Sequence, residues 1–387
     1  MFDTLIGDQR PLGWVLGFWP VLAAALTSSL AATALCKRVA IRWGLVDRPD
    51  HLVKTHREPI AYLGGVAMLV GLTTGALAGV YLLRSDRAFP REIQWLLGVL
   101  AGAAIACFVG LADDILDLRP RHKILGQILA AAVLLLAGID PNLESITRPL
   151  GLSLPDRIET VLDTAVVILF VLGATNSLNL LDGLDGLCAG VTAIIALAML
   201  LLATHLATWG VSDSGDPVRI VICLGLVGGV CGFLPFNRHP AKIFMGDAGS
   251  MFLGFVAAAL MILFAERGPR CWLAAIAVFG LPILDTAVAI VRRLLNRRPI
   301  WVSDRGHIYD QMIDRGIPLR RTVTICYGLA GLYALIGLAM SQIRTRYAIA
   351  VGILTAFISG LLVWQKGYLK MQGLRGFVTE KKPHTPR

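Results

Sequence analysis

The chain has 387 residues and a formal net charge of +10, with 56% hydrophobic and 16% charged residues. Ordinary soluble domains contain roughly 45–50% apolar and about 25% charged residues, so this composition excludes a water-soluble enzyme. Basic residues in a membrane chain usually mark the cytoplasmic side. We therefore interpret the positive charge as a sign of orientation and expect no nucleic-acid partner.

Long apolar stretches follow one another along most of the sequence. A helix crosses the bilayer core, about 30 Å thick, with roughly 20 apolar residues, so each such stretch predicts one span. The sequence predicts an all-α, multi-pass membrane protein with about eleven spans, of which the fourth and the eighth are short. In chain order the spans are 13–36, 60–83, 93–112, 123–138, 160–181, 186–209, 217–236, 249–265, 272–291, 322–340 and 347–364.

Lys and Arg are distributed unequally between the two sides that eleven spans define. The odd-numbered loops and the C-terminal tail carry 25 of the 36 basic residues, and the N-terminus and even-numbered loops carry 11. By the positive-inside rule, this bias predicts an external N-terminus, a cytoplasmic C-terminus and cytoplasmic odd loops. No linker divides the chain, so we expect one transmembrane domain at 1–365 and a basic cytoplasmic tail at 366–387.

Five clusters of polar residues interrupt the apolar pattern, and all five lie in the odd loops or at their edges. The clusters contain Lys54 and His56; Asp113, Asp114, Asp117 and Lys123; Asn176, Asn179, Asp182 and Asp185; Asn237 through Asp247; and Asp304, Arg305 and His307. Successive clusters are 59 to 69 residues apart, about the length of two spans and a turn. The clusters are therefore predicted to meet at the cytoplasmic end of the helix bundle.

The composition of these clusters indicates metal-assisted phosphate chemistry. Carboxylates beside Asn provide oxygen ligands for Mg2+, and Lys, Arg and His provide cations for phosphate oxygens. Between Asn176 and Asp185 a polar residue recurs at every third position, which one helical face cannot accommodate. Asn176 and Asp185 can therefore share a face only if the helix breaks, and Gly183 and Gly186 permit a break.

Four carboxylates, three in these clusters and Asp285 outside them, have structural alternatives. The pair Asp113 and Asp114 is also typical of a solvated helix end. Asp247, between two glycines before an apolar span, is also a candidate N-cap. Asp285, seven residues before Arg292, is better explained by a structural hydrogen bond.

Four motifs occur in order between about Asp47 and Gly316: A-D-D, N-x-x-N-x-x-D-G-L-D-G, N-x-x-P-A-x-x-F-M-G-D-x-G-S and D-R-x-H. Together they resemble the polyprenyl-phosphate N-acetylhexosamine-1-phosphate transferase family, which includes undecaprenyl-phosphate GlcNAc-1-phosphate transferases and phospho-MurNAc-pentapeptide translocases. The resemblance implies that a polyprenyl-phosphate oxygen attacks the β-phosphorus of a UDP-N-acetylhexosamine, most often UDP-GlcNAc. UMP leaves, and the lipid-linked sugar pyrophosphate begins the synthesis of a cell-envelope glycan.

The resemblance also implies roles for individual residues of the 1–365 catalytic domain. Asp113 and Asp114 would be catalytic and serve the acceptor phosphate, and Asn179 and Asp247 would bind Mg2+, with Mn2+ as an alternative. The expected substrate-binding residues are Lys54 and Lys123 at phosphates, Asn176, Asp182 and Asp185 at the nucleotide, Asn237 at the uridine side, and Arg305 and His307 at the pyrophosphate or sugar.

Two routes for the carboxylate pair remain open. One aspartate would take a residual proton and orient the attacking lipid oxygen, or would itself attack and form an aspartyl phosphate. We favour direct attack by the lipid, because a carboxylate meeting a diphosphate adds a repulsive encounter. The cytosolic donor implies a multi-pass protein of the inner (plasma) membrane with its active site on the cytoplasmic face, and a homodimer is a further expectation.

The residues after His307 depart from the family pattern. Where the GlcNAc branch usually shows H-L-H-H, this chain has His307-Ile308-Tyr309-Asp310. The identity of the sugar therefore stays open, with another UDP-sugar or UDP-MurNAc-pentapeptide as alternatives. A cation-coupled secondary transporter is an explanation of a different class. Its site would lie near the midplane between internal repeats, whereas these clusters gather at one end.

Overall fold

The computed structural model describes residues 15–47, 59–84, 89–144, 154–208, 216–299 and 306–370. Within these ranges the chain forms thirteen α-helices and one small antiparallel sheet. The elements are α1 Trp19–Trp43, β1 Val46–Asp47, β2 Ile60–Ala61, α2 Gly64–Leu83, α3 Phe89–Leu116, α4 Pro120–Leu136, α5 Asp156–Leu181, α6 Leu187–Thr208, α7 Asp216–Asn237, α8 Gly246–Ala265, α9 Pro269–Val278, α10 Gly280–Leu295, α11 Ile308–Asp314, α12 Leu319–Ser341 and α13 Thr345–Gln365.

Each predicted span coincides with one helix or with a bent pair of helices. Among the described residues, nine helices are long and apolar enough to cross a membrane. The pair α9 and α10, bent by 69°, makes a tenth if it is one span. The remaining span falls on α4, whose 17 residues rise about 25 Å, less than the thickness of the bilayer core.

The structure thus confirms a polytopic all-α membrane protein. Eleven crossings and the sides on which the termini lie stay predictions. The eighth span, expected to be short, belongs to a helix of 20 residues, because α8 begins at Gly246 instead of Gly249.

Helix α8 forms the centre of the bundle. All of its residues from Ala248 to Ala265 are buried, and it packs against α2, α3, α5 and α9. Helix α1 is peripheral, with Trp19 and Trp43 exposed at its two ends. Tryptophans in such positions are typical of helices that end at the two membrane interfaces. The core of the protein is therefore built around one central apolar helix, whose first turn lies at the polar end of the bundle.

The small sheet connects the start of α2 with the segment before α8. Asp47 pairs with Ile60 across the two strands. Ala61 of β2 accepts a hydrogen bond from the backbone N–H of Phe244, 2.8 Å away. Gly64 at the start of α2 in turn donates its N–H to the Phe244 carbonyl, at 3.0 Å. These bonds fix where the chain enters α2 and α8.

Candidate active site

Asp247, in the first turn of α8, lies at the meeting point of four helices. Lys123 Nζ of α4 donates to Asp247 Oδ2 at 2.5 Å and to Asp113 Oδ2 of α3 at 2.9 Å. Asn179 Nδ2 of α5 donates to Asp247 Oδ1 at 2.8 Å and to Ser250 Oγ at 3.0 Å. The N-cap of α8 is Met245, with no side-chain capping bond. The alternative that Asp247 is merely an N-cap is therefore wrong.

A tight turn between α3 and α4 brings Asp113 to Lys123, ten residues further along the chain. The Asp117 backbone N–H bonds the Asp113 carbonyl at 2.9 Å, and the Leu118 N–H bonds Asp113 Oδ1 at 3.0 Å. The Asp113 side chain is only 15% exposed. It is thus held from both sides and is not part of a solvated helix end.

Asp114 has different partners from its neighbour Asp113. Its two carboxylate oxygens accept the backbone N–H groups of Asp247, at 2.9 Å, and Ala248, at 3.2 Å. These are among the N–H groups that a helix start leaves without an intrahelical partner, so Asp114 caps α8 from the adjacent helix. Gly246 has φ +68°, and a Cβ there would lie 2.4 Å from Asp114 Oδ2, which excludes a larger residue. Asp114 therefore fixes the backbone that carries Asp247.

The helix break that Gly183 and Gly186 permit is present in the structure, and both aspartates of the third cluster lie in it. Helix α5 ends at Leu181 and α6 begins at Leu187, with Gly186 at φ +76° between them. Asp182 lies in this break, half-buried, and its side chain makes no hydrogen bond within the described part of the chain. Burial, followed by the negative charges of nearby aspartates, raises the pKa of Asp182 well above its usual range. Asp182 is thus a carboxylate in an already negative environment.

Asn176 lies one helical turn before Asn179 but has other partners. Its Nδ2 donates to the Leu172 carbonyl at 2.7 Å and to Gln127 Oε1 of α4 at 3.2 Å. Asn176 therefore links α5 to α4 and has no bond to Asp247, although the sequence placed it among the substrate-binding residues.

Asp185 connects the break to the segment that follows α7. Its Oδ2 accepts the Ala241 backbone N–H at 3.0 Å and lies 2.8 Å from His239 Nδ1. His239 was not singled out from the sequence. The one sequence signal that could have identified it is its position within the N-x-x-P-A motif, two residues after Asn237.

Asn237 is buried and both ends of its amide are bonded to backbone. Its Oδ1 accepts the Gly186 N–H at 3.1 Å, and its Nδ2 donates to the Ile243 carbonyl at 3.0 Å. With 3% exposure, Asn237 holds the same two segments together as Asp185 does. Its expected role at the uridine side stays a prediction.

His307 and Tyr309 pack against the end of α5 from another direction. The Tyr309 hydroxyl donates to the Leu180 carbonyl at 2.8 Å, and its ring stacks on His307 with centroids 5.6 Å apart. His307 Nδ1 lies 2.7 Å from Asp285 Oδ2, which confirms a hydrogen-bonding role for Asp285. The fifth cluster thus meets the third at Leu180, one residue after Asn179.

Two predicted substrate-binding residues, Lys54 and Arg305, lie outside the described residues. Asp47, directly before the first of these gaps, pairs with Ile60, two residues after it, beside the segment leading into α8. The gap that contains Arg305 ends at Gly306, directly before His307. Both gaps are therefore bounded by residues of the polar end of the bundle.

The donor atoms that the described residues place around Asp247 form a partial ligand set of the kind that Mg2+ uses, and not a complete set of protein ligands. In the described ranges no group of three or more His, Cys, Asp and Glu side chains is arranged to hold a metal. Mg2+ usually takes one or two protein carboxylates and completes its shell with water and substrate phosphates. Asp247 with the Asn179 amide provides such a partial set, and Lys123 bonds both Asp247 and Asp113 beside it.

Comparison with known proteins agrees with this geometry. The model of the family described as glycosyl transferase family 4 matches residues 96–265. A probable undecaprenyl-phosphate N-acetylglucosaminyl 1-phosphate transferase of Bacillus subtilis is 31% identical over 340 residues, which cover 87% of each chain. The chain belongs to glycosyl transferase family 4. The matched range of this family runs from α3 to α8 and contains Asp113, Asp114, Lys123, Asn179 and Asp247.

Other family relatives fall into two groups by name. The decaprenyl-phosphate N-acetylglucosaminephosphotransferase of Mycobacterium tuberculosis is 34% identical over 340 residues, covering 81% of this chain and 80% of the relative. The phospho-N-acetylmuramoyl-pentapeptide-transferase of Desulforamulus reducens is 30% identical over 310 residues, covering 76% and 84%. The family inferred from the motifs is therefore confirmed, and the protein is a transferase.

Proposed function

We propose that this transferase moves GlcNAc-1-phosphate from UDP-GlcNAc to a polyprenyl phosphate, with undecaprenyl phosphate as the first candidate. UMP leaves, and the product is a lipid-linked sugar pyrophosphate that initiates cell-envelope glycan synthesis. The observation that carries this proposal is the junction of Asp113, Lys123, Asn179 and Asp247 at one end of a membrane-embedded bundle. The names of the Bacillus and Mycobacterium relatives support both the acceptor class and the sugar.

The reaction brings two anions together, so positive charge and positioning carry most of the catalysis. Asn179 and Asp247 are proposed to hold Mg2+, or Mn2+, which supplies charge neutralisation of the phosphates when it is bound. Lys123 is proposed to contact phosphate from the same junction. Lys54 and Arg305 are proposed to add further positive charge.

Asp113 is proposed to orient the attacking lipid oxygen, and Asp114 to hold the α8 backbone in place beneath Asp247. The acceptor phosphate has a second pKa near 6 and is already mostly dianionic at pH 7, so it gains little from a strong base. Direct attack by the lipid predicts no exchange of labelled UMP into UDP-GlcNAc when lipid is stripped away. Exchange abolished by Asp113→Asn would identify an aspartyl-phosphate intermediate instead.

The active site is proposed to face the cytoplasm of the inner (plasma) membrane, where a UDP-sugar is available. The bias of Lys and Arg among the loops supports this orientation. A cysteine introduced at Ser303 should resist a membrane-impermeant thiol reagent in intact cells, after subtraction of native-cysteine labelling. Labelling as strong as that of a cysteine introduced at Asp86 would reverse the orientation.

The sugar is tested with a panel of donors on purified protein. UMP release from UDP-GlcNAc that depends on polyprenyl phosphate is the expected result. UDP-MurNAc-pentapeptide belongs in the panel because one group of relatives is named for it. If no UDP-sugar releases UMP, the proposed reaction is wrong and a transport function returns as the candidate.

A further inference from the structure

Helix α10 directs charged side chains into the protein and apolar side chains outwards. Asp285 is 1% exposed and Arg292 is fully buried, whereas Ile290 and Leu294 on the other side are exposed. Ionisable groups buried in a membrane protein are costly and usually have a specific task. The contacts of α10 show what that task is.

Two of the buried charged residues of α10, Asp285 and Arg292, lie against the segment that carries His307. Asp285 Oδ2 lies 2.7 Å from His307 Nδ1, and Asp285 Oδ1 accepts the Ile308 backbone N–H at 2.7 Å. Two turns along α10, the guanidinium of Arg292 lies against Gly306, where a Cβ would meet it at about 2.0 Å. The residues on either side of His307, and His307 itself, are thus held by one helix face.

His307 is also held by the Tyr309 ring, and α10, which carries its partner Asp285, is bonded to α5. The Tyr309 ring stacks on the His307 ring with an angle of 10° between their planes. Thr286, next to Asp285, donates to Ser177 Oγ of α5 at 2.9 Å. Helix α5 also carries Asn179, so the His307 ring has a fixed position relative to the Asp247 junction.

The partner of Nδ1 decides which ring nitrogen is free. A carboxylate only accepts hydrogen bonds, so the proton of the pair sits on Nδ1. His307 Nε2 makes no hydrogen bond to any residue within the described ranges. Nε2 is therefore the ring nitrogen without a hydrogen-bond partner among the described residues.

We propose that Asp285 is a positioning residue of the transferase: it fixes the proton on His307 Nδ1 and thereby presents Nε2 to the UDP-sugar donor. This rests on the proposed function, in which His307 contacts the pyrophosphate or sugar of the donor. Asp285 itself touches no substrate. Its whole effect on the transfer reaction is exerted through the His307 ring.

The test compares Asp285→Asn with Asp163→Asn, the same change at a carboxylate that accepts the Leu143 N–H near the other end of the bundle. The asparagine amide can donate to Nδ1, which moves the proton to Nε2. We expect kcat/KM for UDP-GlcNAc to fall roughly 10- to 100-fold in Asp285→Asn, as for other residues that orient a histidine. Asp163→Asn should keep the wild-type value, and both variants should melt within a few degrees of the wild type.

A double-mutant cycle with His307→Ala separates positioning from general support of the fold. If Asp285 acts through His307, Asp285→Asn should change kcat/KM less than twofold when His307 is already alanine. An equal loss in both backgrounds, or wild-type kinetics of the single variant, would overturn the proposal. Wild-type protein that turns over no UDP-sugar would instead refute the proposed function.

A measurement on the unmutated protein decides the matter if Asp285→Asn does not fold. Histidine labelled with 15N reports which ring nitrogen carries the proton, and the His307 signal is assigned by its loss in His307→Gln. A protonated Nδ1 is the expected result. A neutral ring with its proton on Nε2 would show that Asp285 does not set the tautomer.

Discussion

Helix α8 has a group of charged side chains at each end, and the two groups are built in opposite ways. At its first turn Asp113, Asp114 and Asp247 are accompanied, among the described residues, by one bonded basic side chain, Lys123. We call these four residues the N-terminal cluster. They carry three formal negative charges and one positive charge.

At the last turn of α8, two arginines meet two carboxylates. Arg219 lies 3.2 Å from Asp216 and 3.0 Å from Glu266, and Arg267 lies 2.9 Å from Asp216. Arg219 is fully buried and also donates to the Leu263 carbonyl. This C-terminal cluster, Asp216, Arg219, Glu266 and Arg267, is balanced in formal charge and holds the start of α7 against the end of α8.

The difference between the clusters shows how to recognise a site among buried charges. A buried charge is tolerated when it is paired, and the C-terminal cluster satisfies this requirement with its own residues. The N-terminal cluster does not, and the substrates proposed for it are themselves anions. It therefore requires cations from outside the four residues, for which Mg2+, Lys54 and Arg305 are our candidates.

The largest effect is expected for Asp247→Asn, which removes a proposed metal ligand. A bound metal contributes several kcal/mol to charge stabilisation, so kcat/KM should fall at least about 100-fold. Raising the Mg2+ concentration should recover part of the loss. The matched control is Asp163→Asn, which changes a carboxylate that accepts the Leu143 N–H near the other end of the bundle and should leave turnover intact. Full activity of Asp247→Ala in EDTA-treated protein would end the assignment.

Within the N-terminal cluster, Asp113 and Asp114 should differ in how much each contributes to stability and to turnover. Asp114→Asn replaces one acceptor of the α8 N–H groups by a donor, and leaving a buried N–H without a partner costs about 1–3 kcal/mol. Both melting temperature and kcat/KM should fall. Asp113→Asn keeps an oxygen for the Leu118 N–H and should lower kcat/KM with a smaller change in melting temperature. Equal melting temperatures for the two variants would contradict the capping role of Asp114.

Lys123→Met removes the positive charge of the N-terminal cluster. A hydrogen bond to a charged group contributes roughly 1.5–3 kcal/mol, so we expect kcat/KM to fall about 10- to 100-fold. The Mg2+ concentration for half-maximal activity should not rise, because every carboxylate is retained, whereas in Asp247→Asn it should rise. A Mg2+ requirement that increases equally in both variants would show that Lys123 has no separate role at phosphate.

The smallest effect on turnover is expected at the C-terminal cluster. Arg219→Gln breaks a buried ion pair, which costs roughly 3–5 kcal/mol of stability. The melting temperature in detergent should drop, while the specific activity of the folded protein should match the wild type. A specific activity as low as that of Lys123→Met would mean that the two ends of α8 are not functionally distinct.

Much of this architecture follows from local patterns in the sequence. Apolar length predicts helices, and the spacing of about two spans predicts that Asp113, Asn179 and Asp247 lie at one end. The period of three from Asn176 to Asp185 exceeds one helical face, and the glycines there permit the break that Gly186 makes.

The different hydrogen-bonding roles of the side chains in the site cannot be predicted from local sequence patterns. Asp113 and Asp114 are adjacent in the sequence, yet only the packing of α3 against α8 makes Asp114 a cap for Asp247, 133 residues away. The hydrogen bonds of Asn237 to the backbone of two loops could not be predicted from the sequence either. Nor could the contact of His239 with Asp185. Such roles depend on where a backbone N–H or a carboxylate of a distant segment happens to lie.

We propose that the N-terminal cluster holds a divalent cation and that the C-terminal cluster does not. This proposal is tested most directly by equilibrium Mn2+ binding to purified, EDTA-treated protein, followed by electron paramagnetic resonance of the free ion, with wild type, Asp247→Asn and Arg219→Gln compared. We expect wild type and Arg219→Gln to bind Mn2+ alike, with Mg2+ competing, and Asp247→Asn to bind it at least tenfold more weakly. Mn2+ binding that is unchanged in Asp247→Asn but lost in Arg219→Gln would show that the cation is bound at the C-terminal cluster instead.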